Sequence, residues 1–160
     1  MKNFIKPFFA IIIAVVIYSV FFKFSIILPQ IINVFSLVVI YFALIKGEVF
    51  GACLGAFCGL VQDSFSLGVF GVAGIAKTIT GFLAGYISKR IDVGPFVRNF
   101  LFIFILICLE LTLWSFLYFF IFSERINTKN GLIFLQPLVT GLLGSTLFHL
   151  IQIIQKKEKY

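Results

Sequence analysis

Long apolar runs separated by short clusters of charge constrain this chain more than any other feature. Of its 160 residues, 61% are hydrophobic and only 12% are charged, and the mean hydropathy is +1.15. A water-soluble domain needs a polar surface that this composition does not supply. The sequence therefore predicts an all-α membrane protein in which lipid solvates most of the surface.

The apolar runs predict a bundle of six transmembrane helices in a single integral membrane domain over residues 1–160. An apolar helix needs about 20 residues to cross the hydrocarbon layer, and we place breaks where charges, Gly and Pro cluster. The third span is short, so we expect neighbouring helices to surround it. In the sixth span Pro137 suits either a first helical turn or a kink. The predicted spans are 4–22, 28–45, 49–62, 68–87, 100–122 and 131–155.

Basic residues predict the orientation, because short loops rich in Lys and Arg remain in the cytoplasm. With the N-terminus inside, nine basic residues lie in inner segments, three lie in outer loops, and Lys77 lies within a span, which accounts for all 13. Both termini are thus expected in the cytoplasm. The net charge of +7 then indicates anionic lipid as the partner and not nucleic acid, since no amphipathic basic stripe is present. The inner set is Lys2, Lys6, Lys46, Lys89, Arg90, Arg98, Lys156, Lys157 and Lys159.

Small residues dominate the third and fourth spans, which only a few residues separate. Glycines at such spacing let two helix backbones approach closely, so an antiparallel hairpin is predicted. The seam could serve packing within the chain or the binding of a partner helix. The glycines are Gly51, Gly55 and Gly59 in the third span and Gly71, Gly74, Gly81 and Gly85 in the fourth.

Three ionisable residues lie in or beside apolar spans. Asp63 ends the third span, where its carboxylate could accept backbone amide bonds in the turn, fix a docking turn for a partner, or bind a cation. Lys77 lies about 14 Å into its span at helical rise. A central lysine costs about 2.5–3.5 kcal/mol and needs a partner, for which Glu110 in the fifth span is the candidate. A structural ion pair, a snorkelling lysine, and a ligand or proton site all remain open for this pair.

The remaining polar residues form no recognisable catalytic, cofactor or metal site. Cys53, Cys58 and Cys108 lie inside apolar spans without ligand spacing, and a thiol there usually behaves as a small hydrophobe. His149 is a lone histidine in the last span. No phosphate-binding glycine loop, nucleophile elbow or zinc motif is present. We therefore expect a protein that is not an enzyme and holds no cofactor.

The segment 28–91 resembles the rod shape-determining MreD family of bacteria. Its centre is "GAFCGLVQD", Gly55 to Asp63, followed by a Ser/Gly turn and a glycine-containing helix that ends in "GFLAGY". Lys77 departs from the pattern, so the resemblance gives it no role. The positions that match are Pro29, Gly55, Gly59, Asp63, Ser66, Gly68, Gly71, Gly81, Gly85 and Tyr86.

The resemblance implies a non-enzymatic multi-pass component of the bacterial cytoplasmic membrane. Such a protein would bind the single-span protein MreC, in the complex that links the MreB filament to peptidoglycan synthesis by RodA and its transpeptidase. The MreD fold is also similar to the six-helix substrate-binding subunits of energy-coupling-factor vitamin transporters. In that alternative, Lys77 and Glu110 would line or close a ligand cavity.

Overall fold

The computed structural model describes residues 2–25, 27–65, 70–91, 93, 95–122 and 132–157. This part of the chain is helical and contains no strand. Ser66 and Gly68, which the sequence assigned to the turn after the third span, lie outside the described residues, as do Arg125, Lys129 and Lys159. The helices are α1 (Lys2–Phe24), α2 (Leu28–Ile31), α3 (Val34–Lys46), α4 (Glu48–Phe65), α5 (Val72–Ser88), α6 (Phe96–Phe122) and α7 (Gln136–Lys157), with a 3-10 turn over Leu132–Leu135 before α7.

Among the described residues, three helical segments are long and apolar enough to cross a membrane: Pro7–Phe24, Leu28–Lys46 and Phe96–Ile121. Two shorter apolar helices cover Val72–Ser88 and Gln136–Ile151. Most side chains of the three long segments are not buried within the chain. Large apolar side chains that face outward in this way are what a bilayer solvates and water does not.

Several helix bounds differ from those of the predicted spans. The second span is interrupted, because α2 ends at Ile31 and Asn33 caps α3 by accepting the Ser36 amide N–H on its side-chain oxygen. Helix α6, which corresponds to the predicted fifth span, begins at Phe96, four residues before the predicted start. Pro137 lies in the first turn of α7, where its missing amide proton costs nothing.

The third span is also longer and more exposed than predicted. Helix α4 has 18 residues and continues past Gln62, and its outer face leaves Phe57 and Leu60 exposed. Neighbouring helices therefore cover only one face of α4. That face carries the small residues, and it packs on α5 in the most extensive helix pair of the fold.

The core lies around α3, which contacts α1, α4, α5 and α7. Phe35, Val39 and Phe42 pack against α1 and α4, whereas Ile40 and Ala43 pack against α5 and α6. A helix that buries apolar residues on most of its circumference is a central helix. Its one polar turn, over Asn33 and Ser36, therefore faces the interior of the bundle.

Candidate functional site

Helices α4 and α5 form an antiparallel hairpin whose contact is made by glycines. Gly51 lies against Gly81, and Gly55 lies against the backbone of Lys77. A Cβ on Gly55 would lie closer than 3.0 Å to backbone atoms of α5, a distance that real Cβ atoms essentially never show. Gly59 and Gly85 meet the backbone of the opposite helix in the same way. Five of the seven predicted seam glycines are thus used for packing within the chain: Gly51, Gly55, Gly59, Gly81 and Gly85.

The remaining seam glycines lie in less crowded surroundings. A Cβ on Gly74 would meet only the Leu60 side chain at 3.5 Å, which is ordinary contact. Gly71 has open space around it but adopts φ +100°, which favours glycine, at the start of α5. Pro29 lies in the first turn of α2.

Asp63 links the end of α4 to the start of α5 by hydrogen bonds. Its carboxylate accepts the amide N–H groups of Gly71 at 2.8 Å, Ala73 at 3.3 Å and Gly74 at 3.3 Å. These are unpaired N-terminal amides of α5, and an anion there also interacts favourably with the helix dipole. The buried carboxylate thus ties the end of α4 to the start of α5, and its oxygens are occupied by backbone donors.

The close approach of α4 and α5 accompanies complete burial of Lys77 on α5. The side chain is 1% exposed, and its ammonium contacts Oε1 of Glu110 on α6, whose side chain is 7% exposed. The structure therefore brings together the two charges that the sequence singled out. The lysine does not snorkel to the surface, because its ammonium ends inside the bundle.

Two side chains of the α3 polar turn complete the surroundings of the ammonium. Lys77 Nζ donates to Ser36 Oγ at 2.5 Å and to Asn33 Oδ1 at 3.2 Å, in addition to its contact with Glu110. An ammonium has three donors and no acceptor, so all three of its hydrogens have partners. The charge is satisfied by groups from α3 and α6, so the cluster joins these two helices to α5.

The two oxygens of the Glu110 carboxylate differ in their hydrogen bonding. Its Oε1 accepts from Lys77 Nζ, from Ser36 Oγ at 2.7 Å and from Asn33 Nδ2 at 3.2 Å. Its Oε2 is buried and accepts no hydrogen bond from the described part of the chain. A buried carboxylate oxygen without a donor is costly, so Oε2 is the one atom of this cluster that could accept a bond from another molecule.

Sequence reasoning missed Asn33, Ser36 and Thr140. Thr140 on α7 accepts the Asn33 amide N–H at 3.2 Å and donates to the Ile31 carbonyl at 3.1 Å, so it bridges the break between α2 and α3. The signal was present in "QIINVFS", where two polar residues three apart interrupt an apolar span. Polar side chains at such depth are typical of interhelical hydrogen bonding.

An apolar cleft of about 290 Å³ lies on another side of α3. Its floor runs along α3 from Val34 to Leu44, and its walls come from α1 and α7. Two of its lining residues, Tyr41 on α3 and Phe148 on α7, pack edge-to-face. Its lining is almost entirely aliphatic and aromatic, so the cleft offers no set of polar groups that would orient a polar solute.

The other sequence candidates are a histidine and three cysteines. His149 is exposed and packs edge-to-face on Phe96. Cys53, Cys58 and Cys108 are free thiols. Within the described ranges, no three His, Cys, Asp or Glu side chains are grouped so that they could hold a metal ion.

A second ion pair lies at the opposite end of the hairpin from Asp63. Lys89 Nζ is 2.5 Å from Glu48 Oε2, and the lysine side chain is mostly exposed. The hydrogen bond from Lys89 lowers the pKa of Glu48 below its ordinary value, with help from a backbone amide bond. An exposed pair of this kind contributes little to stability.

Comparison of the chain with protein-family models, with curated proteins and with solved structures finds no match.

Proposed function

We propose that this chain is a non-enzymatic component of the bacterial rod-shape complex, and that it binds an MreC-like single-span protein in the cytoplasmic membrane. The wider complex would include the MreB filament, RodA and its transpeptidase. The proposal starts from the MreD-like segment 28–91. It also requires that the polar interior of the bundle serve the fold and not a substrate.

The observation that carries the proposal is that the buried charged groups are hydrogen-bonded to other groups of the same chain. Lys77 uses its three donors on Glu110, Ser36 and Asn33, and Asp63 is occupied by the amides of α5. These polar groups join helices to each other. Apart from Oε2 of Glu110, they leave no cluster of free donors and acceptors that would bind a vitamin. A protein whose polar interior is used in this way is suited to holding a fixed shape for partners.

The helix arrangement supports the proposed six-span topology with both termini inside. Tyr18, in the last part of α1, packs on Phe35 at the start of α3 and on Phe65 at the end of α4, which indicates that α1 is antiparallel to α3. Helix α7 contacts both ends of α3 in the same order along the chain, so these two helices run parallel. The start of α1 and the ends of α3 and α7 therefore lie at one end of the bundle, together with the Glu48–Lys89 pair. The predicted inner lysines that belong to the described helices thus fall at one end of the bundle, which supports the proposed orientation under the positive-inside rule.

Co-purification from the organism that encodes the chain tests the proposal. The tagged chain, extracted in mild detergent, is expected to retain a single-span protein with a large extracytoplasmic part. Its melting temperature is expected to stay unchanged when vitamins are added one at a time. Loss of every such partner, together with a melting shift for one vitamin, would contradict the proposal. A C-terminal alkaline phosphatase fusion that is active outside the membrane would contradict the topology.

A substrate-binding subunit of an energy-coupling-factor transporter is the alternative, and one observation favours it. Oε2 of Glu110 is buried and has no donor among the described residues. A ligand with an N–H or O–H group could supply that donor. In this case Glu110→Gln would abolish the vitamin-dependent melting shift, and no partner of the rod-shape complex would copurify.

A further inference from the structure

The apolar cleft between α1 and α7 has a size that can be compared with known cavities. An engineered apolar cavity of about 150 Å³ stays dry and binds benzene. The cleft, at about 290 Å³, is roughly twice as large. Benzene has six carbon atoms, so a cleft of twice the volume holds on the order of a dozen carbon atoms. Because its lining is apolar, a hydrocarbon fits its chemistry and a polar solute does not.

The length of the cleft distinguishes a lipid chain from a partner helix. Its floor extends from Val34 to Leu44, which is about 15 Å at helical rise. One leaflet of a bilayer has a hydrocarbon depth of about 15 Å, whereas a transmembrane helix needs the full depth of about 30 Å. The cleft therefore matches a single acyl chain and is too short to seat a partner span along its length.

Lysines are concentrated in the sequence at one end of the helices that line the cleft. Ala10 on α1, Leu44 on α3 and Ile151 on α7 line that end, where α1 begins and α3 and α7 finish. The described helix ends just beyond these residues carry lysines in their sequence. Glu48, which follows α3, is paired with Lys89, and Glu158 follows Lys157 in the sequence. Basic residues beside an interhelical apolar cleft attract anionic lipid head groups. The lysines of these segments are Lys2, Lys6, Lys46, Lys156 and Lys157.

We infer that this cleft is a binding site for an anionic phospholipid, with one acyl chain along α3 and the phosphate at the lysine-rich end. The inference requires that the chain lie in a membrane, but it does not depend on the proposed partner. Lipid bound in this way fills the space between α1 and α7. It thereby fixes α1, whose main packing partners are the short helix α2 and α3.

The test uses the full chain, stripped of lipid in a non-ionic detergent and titrated in native mass spectrometry. The probes are phosphatidylglycerol and phosphatidylcholine with the same acyl chains. We expect one retained phosphatidylglycerol molecule and at least about fivefold weaker retention of phosphatidylcholine, since each nearby lysine contributes about fivefold. Lys6 is one helical turn before Ala10 in the sequence. Lys6→Gln should therefore weaken phosphatidylglycerol binding about fivefold while leaving phosphatidylcholine binding unchanged. Equal retention of the two lipids would overturn the inference.

Cleft-filling variants test the position of the acyl chain. Ala10→Phe fills the cleft from α1 and Leu147→Phe fills it from α7, and either should reduce lipid retention by about tenfold or more. Ile12→Phe is the matched control, because Ile12 is exposed on α1 and does not line the cleft. The two cleft variants are independent, so one that fails to fold leaves the other as the test. Undiminished binding in a folded cleft variant would overturn the inference, and so would an equal loss in Ile12→Phe.

Discussion

Replacement of Lys77 by methionine should be among the most destabilising single changes in this chain. Methionine preserves most of the side-chain volume but removes the three donors that Glu110, Ser36 and Asn33 share. Glu110 would remain charged and buried, with only two neutral donors on Oε1 and none from the described residues on Oε2. Breaking a buried ion pair in this way costs about 3–5 kcal/mol.

A double variant distinguishes the cost of leaving one buried charge unpaired from the cost of removing both charges. In Lys77→Met with Glu110→Gln both charges are gone, and the carbonyl of the new glutamine can still accept from Ser36 and Asn33. We expect this double variant to lose only about 1–3 kcal/mol, the cost of amide hydrogens that lack an acceptor. It should therefore be more stable than Lys77→Met alone. If the two residues acted independently, removal of each partner would cost about 3–5 kcal/mol, and the double variant would lose about 6–10 kcal/mol.

Thermal unfolding in detergent, followed by far-UV circular dichroism, measures the effect. A loss of about 3–5 kcal/mol corresponds to a melting temperature about 10 °C lower for a chain of this size. Lys89→Met is the matched control, because it removes an exposed lysine from an ion pair and should change the melting temperature little. Additive losses in the double variant would refute direct coupling of the two charges, and so would an effect of Lys89→Met as large as that of Lys77→Met.

Three further predictions concern the α4–α5 hairpin. Gly55→Ala should lower the melting temperature strongly because its Cβ meets the α5 backbone, whereas Gly74→Ala should be tolerated because its Cβ meets only a side chain at 3.5 Å. Asp63→Ala should cost about 1–3 kcal/mol in the same assay, since three buried amide donors lose their acceptor. Glu48 has a lowered pKa in the folded state, so its contribution to stability is present above its ordinary pKa of 4.5 and is lost as pH falls through the folded value. Glu48→Gln should therefore reduce the loss of stability on acidification.

Each of these predictions has a clear contrary result. Equal effects of alanine at Gly55 and Gly74 would show that the seam is not tight at the backbone. A melting temperature unchanged by Asp63→Ala would show that its amide bonds do not anchor α5. An identical acid transition in Glu48→Gln would show that the Lys89 pair does not contribute to the pH dependence.

The sequence predicted the helical hairpin because its signal is local. Glycines four apart on α4 and small residues on α5 have few uses other than close backbone approach. Depth along a span likewise suggested Glu110 as the partner of Lys77, since a buried lysine needs an acid at a similar level. Both arguments depend on periodicity and helical rise, which a sequence contains directly.

The rest of the site depends on tertiary geometry. The rotation of α3 that turns Asn33 and Ser36 toward Lys77 is determined by packing on four neighbouring helices, which spacing alone does not reveal. The break after Ile31 was missed because apolar composition continues through it. The cleft between α1 and α7 was invisible for the same reason, since its lining residues have the composition of any lipid-facing helix.

Conditional depletion of the chain, followed by measurement of cell width in the organism that encodes it, tests the proposed function most directly. If the chain is a component of the rod-shape complex, depleted cells should widen and become round in rich medium that supplies every vitamin. Depleted cells that keep their width, and whose growth is restored by adding one vitamin at high concentration, would contradict the proposal.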